Sequence, residues 1–374
     1  MRQRHRARAQ SRHPARLIPP PPAPRAGLLL GLALLTGLLT ACSRAEPSAG
    51  DFSPTLQRIR AARRLVCGIN GQLPGFSSLA PDGRYEGFDV DLCRAVAAAL
   101  GDGIRLELQP LSLAESLTAL ASGEVDLLAR NLSLTLSRDA GGGNGLSFAP
   151  VMVHDGGAVL VPRASGLRRL ADLAGRSICV ISGSTTELVL AARLGELRLP
   201  YTPLRFRSAD DSFSAYLAGR CAAISSDRSG LAARRSRFPQ PGLHVLLPEV
   251  LSREPLAPAT AQADPAWTDQ VRWVMHTLVE AEERGIRRRS LAASLTRARA
   301  EPRRSDLRRF LGLEGNLGAS LGLPADFSLR VIRAVGNYGE LFDRHLGQGS
   351  RLGLPRGPDA LVRDGGLQQA PPFR

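Results

Sequence analysis

Residues 177–195 read SICVISGSTTELVLAARLG. The first five residues are mostly apolar and rich in β-branched side chains, which is typical of a buried strand. A Gly-Ser turn follows, and the remaining residues have the apolar spacing of a helix that ends at Gly195. A strand, a turn and a helix in direct succession form the repeating unit of an open α/β sheet. This stretch therefore predicts an α/β fold.

The same unit recurs on both sides of this stretch. Downstream we predict a strand, a helix and a strand at 201–206, 210–220 and 221–227. Upstream we predict three strands and two intervening helices, at 65–70, 104–111 and 124–130 and at 87–101 and 113–123. The first of these helices is expected to begin at Asp89, and the second to follow a capping box of Ser112 and Glu115. Two β-α-β-α-β arrays predict two open β-sheets flanked by helices, with ligands bound at the carboxyl ends of the strands.

Two apolar segments connect the arrays and predict one crossing out and one crossing back, at residues 151–161 and 246–262. We therefore expect two lobes around a cleft, with a hinge between them. The predicted domains are lobe 1 (first part) at 58–155, lobe 2 at 156–252, and a return to lobe 1 with a C-terminal helical extension at 253–374. This layout suits a binding protein that closes over its ligand.

The N-terminus predicts export. Residues 1–41 combine an arginine-rich start with an apolar run shorter than the roughly 20 residues that span a bilayer, as in a signal peptide. The run ends in Leu39-Thr40-Ala41-Cys42, which resembles a bacterial lipobox, whereas an ordinary signal peptide is the alternative. We expect a lipoprotein signal peptide at 1–41, a lipidated Cys42, a tether at 42–57, and a periplasmic protein anchored to a membrane by its lipid.

Composition argues against several classes of function. The net charge is +15 and all 49 basic residues are arginine, but aromatic residues make up 5% and do not cluster with them. We therefore expect no nucleic-acid partner. Four cysteines besides Cys42 form an even set in an oxidising compartment, without histidines at metal-ligand spacing, so we predict two disulfides and no metal. The chain has no phosphate-binding loop and no dinucleotide fingerprint, and we expect no cofactor.

Four features are candidates for ligand contact. The segment RNLSLTLSRD at 130–139 alternates hydroxyl and leucine side chains, including Ser133, and ends near Arg138, whose guanidinium matches a carboxylate unless it pairs with Asp139. Residues 183–187 form a helix N-terminus, which attracts anions but is also an ordinary cap. Asp227 follows a strand and is placed either to accept an ammonium or to cap the next helix. Phe88 either covers a ligand or packs in the core.

Two other classes of function remain open. A periplasmic dehydratase-type enzyme on this fold needs a general acid or base in the cleft, for which His154 and Glu187 are the candidates. A guanidinium for a carboxylate and an aspartate for an ammonium together describe the head group of an α-amino acid. The other alternative is therefore an amino acid sensor that reports to a receptor.

Much of the chain resembles the solute-binding proteins of polar amino acid ABC transporters (family 3), and most closely the general L-amino-acid-binding subgroup. The resemblance lies in blocks spread from residue 65 to the C-terminus, among them LVCGINGQLPGF, GFDVDLCRAVAAALG, ICVISGSTTE, GRCAAISSDRSGLAA, PEVLSREPL, FLGLEGNLG and VGNYGELFDRHLG. It implies a two-lobed periplasmic-binding-protein fold (type II) that binds a free L-amino acid and delivers it to a membrane permease without catalysis. The oligomeric state is left open, with a monomer as the default.

The resemblance also implies roles for individual residues. Arg138 and Ser133 would bind the α-carboxylate from lobe 1, and Ser184 and Thr185 from lobe 2. Asp227 would bind the α-ammonium, and Phe88 would pack on the ligand. The cysteine blocks imply disulfides Cys67–Cys93 and Cys179–Cys221. The chain departs from the subgroup at positions that bear on side-chain selectivity, namely Gln72, Leu132, Ser133, Leu134 and Gly157.

Overall fold

The computed structural model describes residues 53–140 and 145–374, which belong to one compact unit, Pro47–Arg374. The predicted signal peptide and Cys42 lie outside the described residues. None of the helices in the described ranges is long and apolar enough to cross a membrane.

The elements fall into three groups along the chain. The first group is α1 (Pro54–Ala62), β1 (Arg64–Ile69), β2 (Gln72–Leu73), β3 (Ser77–Leu79), β4 (Tyr85–Glu86), α2 (Phe88–Ala99), β5 (Arg105–Pro110), α3 (Leu113–Ser122), β6 (Leu127–Leu128), α4 (Leu136–Asp139), β7 (Leu146–Phe148) and β8 (Val153–Asp155). The second group is β9 (Gly157–Pro162), β10 (Ser177–Ile181), α5 (Thr185–Glu196), β11 (Thr202–Phe206), α6 (Ala209–Leu217), β12 (Ala223–Asp227), α7 (Arg228–Arg235), β13 (His244–Leu246) and β14 (Glu254–Leu256). The last group is β15 (Ala259–Ala261), α8 (Pro265–Glu283), α9 (Leu291–Ala300), α10 (Ser305–Phe310), α11 (Phe327–Val335) and α12 (Tyr338–His345).

Two five-stranded sheets organise these elements. One has the order β5-β1-β6-β15-β7 and the other β11-β10-β12-β9-β13, and we call the parts built on them lobe 1 and lobe 2. In each sheet the first three strands are parallel, whereas β15 and β9 are antiparallel to their neighbours. The parallel strands of each lobe therefore end at one common edge, where ligands bind in open α/β sheets.

Two predicted helix boundaries shift. The helix α2 begins at Phe88 rather than Asp89, because Gly87 adopts a φ of 135° that favours glycine. A Cβ at Gly87 would lie 2.2 Å from the carbonyl oxygen of Phe76. The helix α5 does not stop at Gly195 but runs to Glu196. The capping box of Ser112 and Glu115 is present as predicted.

The third predicted strand of lobe 1 is much shorter than expected. Only Leu127 and Leu128 join the sheet, because the side chain of Asp126 takes over the backbone pairing before them. Its Oδ2 accepts a hydrogen bond of 2.8 Å from the backbone N–H of Val66, which the ladder would otherwise bind.

The two lobes are joined by an antiparallel pair of strands, β8 and β14. The outward crossing is not continuous, since Gly156 separates β8 from β9. A Cβ at Gly156 would lie 2.6 Å from the carbonyl oxygen of Ser252, so the two crossing segments approach each other closely at this glycine. That the two lobes move relative to each other about boundaries at 155/156 and 252/253 stays a prediction.

Both implied disulfides are present in the structure. Cys67 on β1 is bonded to Cys93 on α2, and Cys179 on β10 is bonded to Cys221, just before β12. Each disulfide therefore fastens a central strand of one sheet to a neighbouring element of the same lobe.

The C-terminal extension packs on lobe 1 and on the crossing strand. The helix α11 packs against α2 and α8. The hydroxyl of Tyr338 donates a hydrogen bond of 2.7 Å to the carbonyl oxygen of Met152, and the amide of Gln368 donates one of 3.0 Å to that of Val151. The carboxylate of Asp359 accepts from the backbone N–H of His154 at 2.7 Å. The extension thus holds three positions, 151, 152 and 154, around the start of β8.

Candidate functional site

A cleft of about 450 Å³ lies at the strand ends of both lobes. Its walls include a residue at or just after the end of each of the six parallel strands: Asn70, Ser112 and Arg130 in lobe 1, and Ser184, Arg207 and Asp227 in lobe 2. The fold therefore directs polar side chains from both sheets into one space. Five of the six predicted ligand residues line this cleft, namely Ser133, Arg138, Ser184, Thr185 and Asp227.

Arg138 lies in the short helix α4 and is buried against its own segment. Its Nη1 donates a hydrogen bond of 2.8 Å to the carbonyl oxygen of Ser133. Burial lowers the pKa of Arg138, and the carboxylates of Glu254 and Asp227 oppose that shift. No ion pair joins Arg138 to Asp139 in the described part of the chain, so the surface-pair interpretation does not apply. The guanidinium is held in the cleft with donors to spare.

The segment before Arg138 is fixed by the crossing strand. The backbone N–H of Leu134 donates to the carbonyl oxygen of Pro255 at 2.8 Å, and that of Ala257 to the oxygen of Leu132 at 3.0 Å. Ser133 thereby projects into the cleft. The alternating leucines of this segment are not all buried. The chain turns into α4 at Leu136, and this side chain is 84% exposed.

Lobe 2 contributes the N-terminus of α5. Ser184 is its cap, and the hydroxyl accepts a hydrogen bond of 3.2 Å from the backbone N–H of Glu187. The Oγ1 of Thr185 donates to Glu254 at 2.8 Å and lies 3.3 Å from the Oγ of Ser133. Hydroxyls of the two lobes thus meet beside the positive end of a helix dipole, where an anion is stabilised.

Asp227 ends β12 without capping the helix that follows it. Its side chain makes no capping hydrogen bond to α7, and the amide Nδ2 of Asn131 donates to it at 3.4 Å across the cleft. The capping role falls to Asp155, which accepts from the backbone N–H of Ser229 at 3.2 Å. Burial raises the pKa of Asp227 well above its ordinary value, and the carboxylates of Asp155 and Glu254 raise it further. A cation beside Asp227 would relieve this unfavourable environment.

Phe88 does not line the cleft. It is 1% exposed and packs edge-on against Tyr338, with ring centroids 6.1 Å apart. Because α2 begins at Phe88, the ring belongs to the buried face of that helix. Tyr85 on β4 is the aromatic side chain of lobe 1 that lines the cleft.

Sequence reasoning missed Arg130, which opens the segment 130–139 and lines the cleft. It is 7% exposed, and burial lowers its pKa to about 10 while the nearby Asp89 opposes the shift. Burial likewise raises the pKa of Asp89 to about 7. The sequence did contain a signal for Arg130, because it is a charged residue just after the end of the buried strand β6. Asn131, which follows it, adopts a left-handed φ of 49° that asparagine tolerates.

The two acid–base candidates of the enzyme alternative are engaged elsewhere. The Nδ1 of His154 lies 2.9 Å from the carboxylate of Asp359. Glu187 is ion-paired with Arg205 and accepts from the backbone N–H of Gly183 at 2.9 Å. Neither residue is among those that line the cleft. Within the described ranges, no group of three or more His, Cys, Asp or Glu side chains is arranged to hold a metal ion.

Residues 65–287 match the family of bacterial extracellular solute-binding proteins, family 3. The general L-amino acid-binding periplasmic protein AapJ of Rhizobium johnstonii is 40% identical over 344 residues, which cover 91% of this chain and 99% of that protein. The glutamate/glutamine/aspartate/asparagine-binding protein BztA of Rhodobacter capsulatus is 42% identical over 321 residues, covering 86% and 93%.

A solved structure is also similar to most of this chain. It is a periplasmic binding protein of an ABC transporter from Brucella ovis with glutathione bound. It is 40% identical to this chain, superposes with a TM-score of 0.80, and the match covers 86% of this chain and 99% of that one. The predicted α/β, two-lobed fold is thereby confirmed.

Proposed function

The chain belongs to family 3 of the bacterial extracellular solute-binding proteins, and we propose that it binds free L-amino acids in the cleft and delivers them to the permease of an ABC transporter. The observation that carries this proposal is that Arg138 and Asp227 line the same cleft. A guanidinium and a carboxylate are the complements of an α-carboxylate and an α-ammonium. The names of the relatives AapJ and BztA support the same class of ligand.

In this proposal the ligand closes the cleft. Arg138 and Ser133 belong to lobe 1, whereas Thr185 and Asp227 belong to lobe 2. An amino acid that binds all four side chains is bound more tightly by the closed arrangement than by an open one. Differential affinity of this kind shifts the population toward closure. The strand pair β8 and β14 is the connection about which the lobes would move.

Glutathione is a second candidate, because the similar Brucella protein was solved with it. Its γ-glutamyl residue carries a free α-carboxylate and a free α-ammonium, so it presents the same head group as an amino acid. The cleft of about 450 Å³ lies within the range of about 300–1,000 Å³ that is usual for sites of small organic ligands.

The proposal is tested by titration calorimetry of the mature chain, with its disulfides intact, against the twenty L-amino acids and glutathione. We expect saturable binding of several polar amino acids, and its loss in Arg138→Ala. A wild-type protein that binds none of these ligands contradicts the proposed function. If Arg138→Ala binds them unchanged, the assigned site is wrong. Co-purification with a permease, rather than with a receptor, distinguishes transport from sensing.

We further propose that residues 1–41 are removed and that Cys42 carries a lipid that anchors the protein to a membrane. The support is the sequence Leu39-Thr40-Ala41-Cys42 at the end of the apolar run. Mass spectrometry of the protein from a membrane fraction tests this: the wild-type protein should begin at Cys42 and carry the lipid mass, and Cys42→Ser should lack that mass. An unmodified Cys42 in the wild-type protein contradicts the anchor.

A further inference from the structure

The cleft extends along helix α7 beyond the proposed ammonium site. Asp227 precedes α7, and Gly230 and Arg234 lie on it, and all three line the cleft. Their spacing of three and then four residues places them on one face of a helix. At a rise of 1.5 Å per residue, the backbone of Arg234 lies about 10 Å beyond that of Asp227 along the helix axis. Gly230 has no side chain, so the space between the two charged residues stays open.

Arg234 lines this space, and its guanidinium is incompletely paired. Its Nη1 donates to Asp210 at the start of α6, and its guanidinium carbon lies 5.3 Å from the ring centroid of Phe213. Its Nε and Nη2 are buried, and neither has a hydrogen-bond partner among the described residues. Buried donors without a partner are unfavourable and are normally satisfied. A carboxylate would satisfy both at once, because the guanidinium fork matches it.

A second guanidinium lines the same end of lobe 2. Arg207 follows β11, and no ion pair or hydrogen bond engages its side chain within the described ranges. Of the four arginines that line the cleft, Arg130, Arg138 and Arg234 each have a carboxylate nearby, from Asp89, Glu254 and Asp210 respectively. Arg207 has no such partner within the described ranges and is a surplus positive charge in the cleft. The head group of an amino acid is zwitterionic and leaves this surplus unchanged. The surplus therefore favours a ligand with an additional negative charge.

The space does not end at Arg234. An adjoining hollow of about 220 Å³ shares Gln72, Phe213 and Arg234 with the cleft. A ligand that reaches Arg234 consequently has room to continue past it.

We propose that Arg234, assisted by Arg207, forms a second anion subsite that selects α-amino acids with a further carboxylate at the far end of the molecule, from L-glutamate to γ-glutamyl peptides. This inference rests on the proposed function, since Arg138 and Asp227 must bind the amino acid head group. It assigns selectivity, rather than head-group binding, to the distal arginines.

The test compares matched pairs of ligands that differ only in the distal carboxylate. The pairs are L-glutamate with L-glutamine, and glutathione with its glycine ethyl ester. In titration calorimetry, we expect the wild-type protein to prefer the acid in at least one pair by about tenfold or more, and Arg234→Gln to remove most of that preference by weakening the acid alone. A distal charge-assisted contact gives an effect of this size. Arg207→Gln should reduce the preference by a smaller factor.

The control is Asp210→Asn, which removes the ionic partner of Arg234 and keeps its positive charge. We expect this variant to retain or increase the preference for the acid, whereas loss of preference in it would assign the effect to packing and overturn the subsite. An unchanged preference in Arg234→Gln, or equal weakening of both ligands of a pair, also overturns the subsite and leaves the proposed function intact. If the wild-type protein binds none of the four ligands, the subsite is overturned, whereas the proposed function is overturned only if the other L-amino acids do not bind either.

Discussion

Asn131 and Asp227 meet across the cleft, where the amide Nδ2 of Asn131 in lobe 1 donates a hydrogen bond of 3.4 Å to the Oδ2 of Asp227 in lobe 2. This contact, together with the contact of 3.3 Å between the hydroxyls of Ser133 and Thr185, joins the lobes through side chains that line the cleft. Both contacts are long or neutral, so a charged ligand head group is able to replace them with stronger bonds.

Asp227→Asn should abolish most amino acid binding. Truncating one partner of a buried, hydrogen-bonded charge pair costs about 2–5 kcal/mol, which is a loss of affinity of about thirtyfold or more. Titration calorimetry with the best ligand of the wild-type protein measures this loss. Asn131→Ala is the matched control, because it keeps the carboxylate and removes one long hydrogen bond, so its affinity should stay within about tenfold of wild type. Equal losses in the two variants would contradict the role of Asp227 as the ammonium acceptor.

Amino acid affinity should fall as the pH is lowered. In the free protein, burial is the largest cause that raises the pKa of Asp227, and the nearby carboxylates of Asp155 and Glu254 raise it further. The hydrogen bond from Asn131 and the charge of Arg138 lower this pKa. A bound ammonium favours the ionised carboxylate and lowers that pKa again. Binding therefore releases a proton at pH values between the lowered pKa of the complex and the raised pKa of the free protein, and affinity decreases by up to about tenfold per pH unit in that range.

Calorimetry of L-glutamine binding in buffers of different ionisation enthalpy, from about pH 5 to pH 8, measures the proton release directly. The side chain of glutamine does not titrate in this range. Burial also raises the pKa of the neighbouring Asp155, to about 6, so Asp155→Asn serves to separate its contribution. Proton uptake on binding would contradict the sign of this prediction.

Removing either disulfide should lower the free energy of unfolding. The cysteines are 26 residues apart in Cys67–Cys93 and 42 residues apart in Cys179–Cys221. Loop-closure entropy then predicts losses of roughly 3.5 and roughly 4 kcal/mol, the larger for the longer loop. Urea unfolding of the two double Cys→Ala variants measures both values, and an unchanged stability in either variant would show that its disulfide does not constrain the unfolded chain.

Tyr338→Phe should destabilise the protein by about 1–3 kcal/mol. The substitution keeps the buried ring and leaves the carbonyl oxygen of Met152 without its donor at 2.7 Å. Thermal unfolding measures the effect. Tyr201→Phe is the matched control, because Tyr201 is half-buried and its hydroxyl makes no hydrogen bond within the described residues. A destabilisation of similar size in both variants would rule out a specific role for the bond to Met152.

The order of strands and helices, the capping box of Ser112 and Glu115, and the two crossings were readable in the sequence. Each of these features depends on local periodicity or on residues three or four positions apart. The short third strand of lobe 1 was not predictable, because Asp126 replaces a backbone partner of Val66, which is 60 residues away in the chain. Local pattern carries no information about such a contact.

The sequence by itself also determined most of the ligand-binding candidates, because polar residues directly after buried strands must meet where parallel strands end. Only the tertiary structure decided their roles. It buried Phe88 against Tyr338, gave the capping of α7 to Asp155 rather than Asp227, and brought Arg234 to the cleft. The physical reason is that burial and pairing depend on which distant elements pack together, whereas the position of a residue in its own strand or helix depends on its neighbours in the chain.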